Sequence, residues 1–265
     1  MKPETELRSG FVSIVGRPNS GKSTLLNRLV GEKISIVSDK PQTTRNVIRG
    51  ILTRPEGQII FLDTPGIHKP IHRMNSRMME AVRNSLAEVD VLALAVDASV
   101  PFGKGDEFTI ELIRGVQMPK ILLLNKIDKI AKKDLLPQIE HYSRTALFDA
   151  IIPISALTGE GVETFVREVL GKLPAGPQYY PEDQISDQQE RTIAGELIRE
   201  KLIEFTHEEL PYSTAVVIER FEEGEKLHKI FASIYIERES QKAIIIGKGG
   251  RSEEHTSELQ SLAYL

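Results

Sequence analysis

The sequence predicts an α/β fold: a mainly parallel, doubly wound sheet, followed by a smaller α+β domain that is incomplete. Three observations carry this. Short apolar runs alternate with longer amphipathic ones over residues 10–170, a proline-rich stretch interrupts the pattern at 173–184, and a helix, two alternating strands and a short helix follow. The runs "FVSIVG" (11–16), "GQIIFLD" (57–63), "VLALAVD" (91–97), "KILLLNK" (120–126) and "AIIPIS" (150–155) are compact and rich in Val, Ile and Leu. Strands of that kind are buried on both faces, which requires a parallel sheet covered by helices. Helical spacing lies between them, at Met78, Val82, Leu86 and Val89, and at Val162, Phe165, Val166 and Val169. This is the βαβ alternation of a doubly wound domain.

The stretch "LPAGPQYYPEDQ" (173–184), with Pro174, Pro177, Pro181 and Gly176, reads as an interdomain linker. The expected organisation is a first domain at 1–173, a linker at 174–183, a second domain at 184–250 and a non-homologous tail at 251–265. In the second domain a helix is expected from about Glu190 to Phe205, then strands in "STAVVIERFEE" and "LHKIFASIYIER", then a helix "ESQKAIII" leading into "GKGG". No internal repeat is visible.

Composition narrows the class. A chain of 265 residues with 40% hydrophobic and 27% charged residues is that of a soluble two-domain protein. No apolar run reaches the length of a membrane span, and "MKPETELRSG" lacks the apolar core of a secretory signal, so the cytosol is the expected compartment. The absence of cysteine excludes disulfides and thiolate metal sites. A net charge of −4 gives no sign of nucleic-acid binding.

The most specific motif is "GRPNSGKS" (16–23), a G-x-x-x-x-G-K-[ST] loop between a strand and the amphipathic "KSTLLNRLV". Gly16 and Gly21 let the backbone curl so that successive N–H groups face phosphate oxygens. Lys22 brings a point charge to the β- and γ-phosphates, the Ser23 hydroxyl suits magnesium, and the helix N-terminus adds partial positive charge. The expected phosphate grip therefore spans Gly16, Arg17, Pro18, Asn19, Ser20, Gly21, Lys22, Ser23 and Thr24. Such a loop serves ATP and GTP alike, and two further motifs decide. Asp63, Thr64, Pro65 and Gly66 ("DTPG") end a strand, where Asp63 can hold magnesium through water and the Gly66 N–H can reach the γ-phosphate. Asn125, Lys126 and Asp128 ("NKID") end a later strand. Asp128 can accept the N1 and N2 protons of guanine, a pair adenine does not present; Asn125 helps fix the purine edge and the loop, and the Lys126 stem can lie along the ring. Ser155, Ala156 and Leu157 follow the last strand, with the Ala156 N–H offered to guanine O6. All these motifs fall on the carboxyl edge of the sheet, where open α/β folds bind ligands. Guanine is favoured over adenine.

The polar stretch "SDKPQTTRNV" (38–47) is expected to be a mobile loop whose threonine reaches magnesium when the γ-phosphate is present, with Thr44 first and Thr43 as the alternative. An ordinary turn after Pro41 is the plainer reading. Hydrolysis needs a positioned water and compensation of charge on the transferring phosphoryl group. Many GTPases place a glutamine directly after the Asp-x-x-Gly glycine; this chain has Ile67, which cannot hydrogen-bond through its side chain. Asn19 could instead hold a monovalent cation beside the phosphates, or simply bond its own loop backbone. The expected catalytic set is Lys22, Thr44, Asp63, Gly66 and Asn19. Arg45, an arginine in a mobile loop, is a weaker candidate for an in-cis finger. Slow turnover without a partner is expected, and a nucleotide-sensing module with negligible hydrolysis is the alternative.

The motifs "GRPNSGKST", "KPQTTRN", "FLDTPGIHKP", "LLLNKID" and "PISALTGEGV", with "EELPYS" and "IYIERESQKAIIIGKGG" in the second domain, resemble those of the bacterial Era GTPase family in order and spacing. The resemblance covers residues 5–250 and implies a Ras-like P-loop GTPase domain followed by a type II KH domain, which in that family grips the 3′ end of small-subunit ribosomal RNA. It implies a GTP-dependent switch in assembly of the small ribosomal subunit, monomeric, cytoplasmic, with peripheral association at the inner membrane. It further implies GTP and GDP as ligands, magnesium at Ser23, Thr44 and Asp63, potassium at Asn19, and RNA contacts at Gly247, Lys248, Gly249 and Gly250. Ile67 fits, since the family carries an apolar residue there.

The end of the second domain departs from the pattern. Residues 182–250 hold nine Lys and Arg against fifteen Asp and Glu, whereas a phosphate-binding unit normally shows a basic face. Beyond Gly250 the chain reads "RSEEHTSELQSLAYL", without the apolar stripe of a helix or the alternation of a strand. Residues Arg251 to Ser261 resemble the reading-frame translation of a DNA-sequencing adapter, so a foreign tail on a truncated gene is expected, with a divergent acidic tail as the alternative. A KH domain lacking its last strand is expected to fold poorly and bind RNA weakly.

Overall fold

In the computed structural model, residues 7–40, 43–67, 73–87, 89–206, 214–224 and 227–246 are described. The chain divides into two compact units, Met1–Ser35 with Pro41–Asp187, and Ile36–Lys40 with Gln188–Leu265.

The first unit carries strands β1 (Arg8–Val15), β2 (Ile48–Arg54), β3 (Gly57–Asp63), β4 (Val91–Asp97), β5 (Lys120–Asn125) and β6 (Ala150–Pro153). Its helices are α1 (Lys22–Val30), α2 (Arg73–Ala87), α3 (Lys104–Arg114), α4 (Lys132–Ser143) and α5 (Val162–Lys172). The strands form one sheet in the order β2-β3-β1-β4-β5-β6. Only the β2–β3 pair is antiparallel, a hairpin at one edge. The apolar runs explain the burial on two sides. Along β4, Val91, Ala93 and Ala95 join the core that α1 and α5 cover with Leu25, Leu26, Phe165 and Val169. Leu92, Leu94 and Val96 join the opposite core, with Val82 and Leu86 of α2, Ile113 of α3 and Tyr142 of α4. Strand periodicity of two thus feeds two helix layers at once. Val89, expected on the α2 stripe, lies beyond the helix and is half-buried.

Strand order fixes where a ligand can sit. β1 lies between β3 and β4, so the chain turns to opposite sides of β1 and opens a crevice at its carboxyl end. Register places Ile14 beside Asp63 and Asp97 beside Asn125, so the strand-end motifs meet at that one edge.

The stretch read as an interdomain linker packs on the first unit, which runs as far as Asp187. The buried Gln58 supplies the reason: its Oε1 accepts the Tyr179 and Tyr180 N–H groups at 2.8 and 2.9 Å, and its Nε2 donates to Tyr180 O at 2.9 Å. Ala175 bridges to Arg8, the Ile51 N–H donates to Ile185 O, and the Tyr179 ring lies 5.2 Å from that of Phe11.

The second unit contains α6 (Glu190–Phe205), the antiparallel strands β7 (Thr214–Glu222) and β8 (Lys229–Ile236), and α7 (Glu239–Ile246). These match the predicted helix, strand, strand, helix order. Residues 36–40 fold with this unit: the Val37 N–H donates to Glu200 Oε1 at 2.9 Å, and Lys40 Nζ donates to Ile203 O and Thr206 O at the end of α6. Among the described residues no helix is long and apolar enough to cross a membrane. Gly247, Lys248, Gly249 and Gly250, like the tail at 251–265, lie outside the described residues.

Candidate nucleotide-binding site

The loop after β1 is shaped by its glycines and by Asn19. Gly16 has φ +152 and Gly21 φ +89, and a Cβ would fall 2.2 Å from Ala95 O at the first and 2.3 Å from Asn125 Nδ2 at the second. Asn19 is exposed and adopts φ 62, a left-handed conformation that asparagine tolerates better than most side chains. Thr24 follows in the first turn of α1 and is half-buried. Lys22 is folded back over the loop, with Nζ donating to Gly16 O at 3.2 Å and Arg17 O at 2.9 Å. Burial lowers its pKa from 10.5 to about 8, against an opposing pull from Asp63.

Next to Lys22 the structure brings four oxygen side chains together. Ser23 Oγ donates to Asp63 Oδ2 at 2.7 Å and lies 2.9 Å from Thr44 Oγ1. Thr44, rather than Thr43, is the threonine in this cluster, and it is 7% exposed. Ser35 Oγ also donates to Asp63 Oδ2, at 2.9 Å. Burial raises the Asp63 pKa, while Lys22, Ser23 and Ser35 hold it down. Asp63 Oδ1 is buried and has no hydrogen-bond partner. A hard oxygen set with one unused carboxylate oxygen fits magnesium. Ser35 carried no motif; only the fold brings it to Asp63.

The turn after β3 closes against the same loop. Thr64 Oγ1 donates to Ile14 O at 2.8 Å, Pro65 is buried, and a Cβ on Gly66 would fall 2.7 Å from Pro18 N. The Ile67 N–H donates to Gly16 O at 2.9 Å, and its side chain, 1% exposed, belongs to the core beside Val82. The apolar residue that follows Asp-x-x-Gly is therefore a packing residue.

The strand ends of β5 and β6 carry the residues expected to meet the base. Asn125 is 1% exposed and ties three segments together: Nδ2 donates to Ser20 O at 2.8 Å, and Oδ1 accepts the Lys126 and Ala156 N–H groups at 2.8 and 2.9 Å. The Ala156 N–H, expected to face guanine O6, is thus held by Asn125, because the amide oxygen sits between the two strand ends. Asp128 is exposed and accepts Ser155 Oγ through Oδ1 at 2.6 Å. Lys126 has φ 66 and sets Nζ 2.6 Å from Asp97 Oδ2. Burial pushes the Asp97 carboxyl up, but its bonds from Lys126 and Ser99 outweigh that and hold it below its ordinary value. From α1, Arg28 Nε donates to Ala156 O at 3.3 Å and Nη2 to Leu157 O, whose own side chain is exposed. Asp97 could have been found, since it ends a strand at the ligand edge; Arg28 carries no local signal. Arg17, expected at the phosphates, directs its guanidinium to Asp106 of α3 at 2.9 Å.

A phosphate loop, a magnesium-type oxygen cluster and an Asn-Lys-x-Asp strand end on one sheet edge define a P-loop GTPase. Residues 11–126 match the family described as 50S ribosome-binding GTPase, and residues 209–260 match the KH domain family, a match that runs past Gly250. A crystal structure of Era in complex with MgGDPNP and nucleotides 1506–1542 of 16S ribosomal RNA is 39% identical, with a TM-score of 0.91 over 97% of this chain and 90% of that chain. Era from Aquifex aeolicus, a variant bound to GDP and AlF4−, is also 39% identical, with a TM-score of 0.90 over the same shares of both chains. The bacterial selenocysteine-specific elongation factor EF-Sec, 20% identical with a TM-score of 0.50 over 63% of this chain and 29% of that chain, shares the fold alone. The chain belongs to the Era family of GTPases with a KH domain.

Proposed function

We propose that this protein is a GTP-hydrolysing switch that binds the 3′ end of small-subunit ribosomal RNA and assists assembly of the small ribosomal subunit. It works as a cytoplasmic monomer with peripheral association at the inner membrane. The observation that carries the switch is the meeting of Ser23, Thr44 and Asp63 within hydrogen-bonding distance beside Lys22. Thr44 comes from a loop and the other two from a helix start and a strand end, so a ligand that recruits Thr44 orders the loop. The RNA target is supported by the 39% identical Era bound to 16S ribosomal RNA.

On this reading Lys22 moves from its carbonyl partners to the β- and γ-phosphates. Ser23, Thr44 and Asp63 are the residues that would hold magnesium, which when bound offsets charge on the phosphate oxygens. The Gly66 N–H faces the γ-phosphate, and Asp128 and Asn125 read and fix the guanine. Since the Ile67 side chain is in the core, compensation of transition-state charge falls to the loop itself, and Asn19 is the proposed potassium ligand: it is exposed there and held in a left-handed turn. Gly247, Lys248, Gly249 and Gly250 are the proposed RNA clamp.

The test measures phosphate release from GTP in potassium and in sodium buffer, and anisotropy of a labelled 3′-end RNA oligonucleotide with GDP or a non-hydrolysable GTP analogue. Faster turnover in potassium, lost in Asn19→Ala, and tighter RNA binding with the GTP analogue are expected. Equal rates in both salts would remove potassium. RNA affinity indifferent to sequence would remove the ribosomal target.

A further inference from the structure

We infer that Gly105 and Asp106, at the start of α3, are positioning residues for the phosphate loop, acting through Arg17. The geometry is a tether. Arg17 Nη1 lies 2.9 Å from Asp106 Oδ2, and the same oxygen accepts the Gly103 N–H at 3.0 Å, so the backbone holds the carboxylate in place. Asp106 is 5% exposed while Arg17 is 40% exposed. The pair thus has one immobile, buried end, unlike two mobile surface side chains. Gly105 makes the path: a Cβ there would fall 2.6 Å from Arg17 Nε and 2.9 Å from its Cζ.

The other end of Arg17 is in the phosphate loop. Its carbonyl oxygen accepts Lys22 Nζ at 2.9 Å and the Ser20 N–H at 3.3 Å, closing the turn that contains Asn19. The loop is bounded by Gly16 and Gly21, both at positive φ, so its own residues restrain it weakly. A side chain anchored on α3 removes part of that freedom before the nucleotide arrives, which lowers the ordering cost of binding. Behind the pair lies the buried Tyr142, whose phenol is pushed up by burial and by Asp106 and pulled down by Arg17. Neither Gly105 nor Asp106 belongs to a recognised nucleotide motif.

The experiment measures release of fluorescent GDP by stopped flow, together with kcat and KM for GTP, in Arg17→Ala, Arg17→Lys, Asp106→Asn, Gly105→Ala and the Arg17→Ala/Asp106→Asn double variant. Asp106→Asn can keep the Gly103 N–H bond and removes the charge. Each single variant except Arg17→Lys is expected to raise GDP release and KM about three- to tenfold with a smaller change in kcat. Arg17→Lys should recover part of the loss, and the double variant should be no worse than Arg17→Ala. Release and KM within twofold of wild type in the single variants, or multiplying effects in the double variant, would overturn the assignment. So would a lower melting temperature of Asp106→Asn with unchanged GDP release, which marks a structural residue only. The inference rests on guanine-nucleotide binding, and GDP release from the unaltered protein, measured alongside, separates failure of that reading from failure of the tether.

Discussion

Burial takes the Lys22 ammonium from 10.5 to about 8, and that value makes the phosphate grip sensitive to pH in a definite direction. Without nucleotide the unfolded chain holds more protons than the folded one between about 8 and 10.5, so stability of the free protein rises with pH across that window. In the proposed contact of Lys22 with the nucleotide, phosphate oxygens favour the charged lysine, so the complex would keep its proton to higher pH than the free protein. Above about 8, binding therefore takes up a proton, and affinity falls as pH rises, at a slope approaching roughly tenfold per unit. Titration calorimetry of GDP at about pH 8.5, in two buffers of different ionisation enthalpy, reads the uptake directly. Equal heats in both buffers would show that Lys22 is already fully charged in the free protein. Lys22→Arg is the control, since guanidinium stays protonated and should abolish the uptake.

The elements were legible where burial acts on the strand itself. β4 and β5 read as strands because they feed apolar side chains to both helix layers, and α5 reads as a helix because Val162, Phe165, Val166 and Val169 all face one core. The placement of the candidate nucleotide motifs at one sheet edge was legible for a related reason: each follows a strand that reads clearly. Long-range contacts were not. Ser35 reaches Asp63, Arg28 reaches Ala156 and Arg17 reaches Asp106 only once the sheet order is set. The packing of the proline-rich linker was illegible for the same reason. Prolines show where regular structure stops, but whether the segment is free depends on distant acceptors, and here Gln58 of β3 provides them. Gln58→Ala should leave the Tyr179 and Tyr180 N–H groups without that acceptor and destabilise the first unit by about 1–3 kcal/mol. Chymotrypsin should then cleave after Tyr179 or Tyr180 faster than in the unaltered protein. Unchanged cleavage would mean that the Phe11–Tyr179 contact and the Ile51–Ile185 bond hold the segment alone.

On the scale of the whole chain, the two units differ in what they bury. Both clusters of buried apolar side chains found among the described residues lie in the first unit. Among its described residues the second unit buries Ile36, Ile203 and Ile218, while Val217, Phe231, Tyr235 and Ile244 remain 43–60% exposed. Its described sheet has two strands, and a two-stranded sheet needs packing from elsewhere to be stable in water. At roughly 1.5–3 kcal/mol for each fully buried large apolar side chain, the first unit holds the larger share of the apolar stabilisation among the described residues. Calorimetry should therefore resolve two transitions, with the second unit melting first. Magnesium and GDP bind the first unit, so at a ligand concentration of about 100 times Kd they add ~2.7 kcal/mol to the upper transition alone. For a unit of this size that is an upward move of several degrees, with the lower transition unmoved. A single transition shifted as a whole by GDP would show that the units unfold together. In that case nucleotide binding would be linked thermodynamically to the order of the KH unit, and the same GDP titration would raise the melting temperature of both by the same amount.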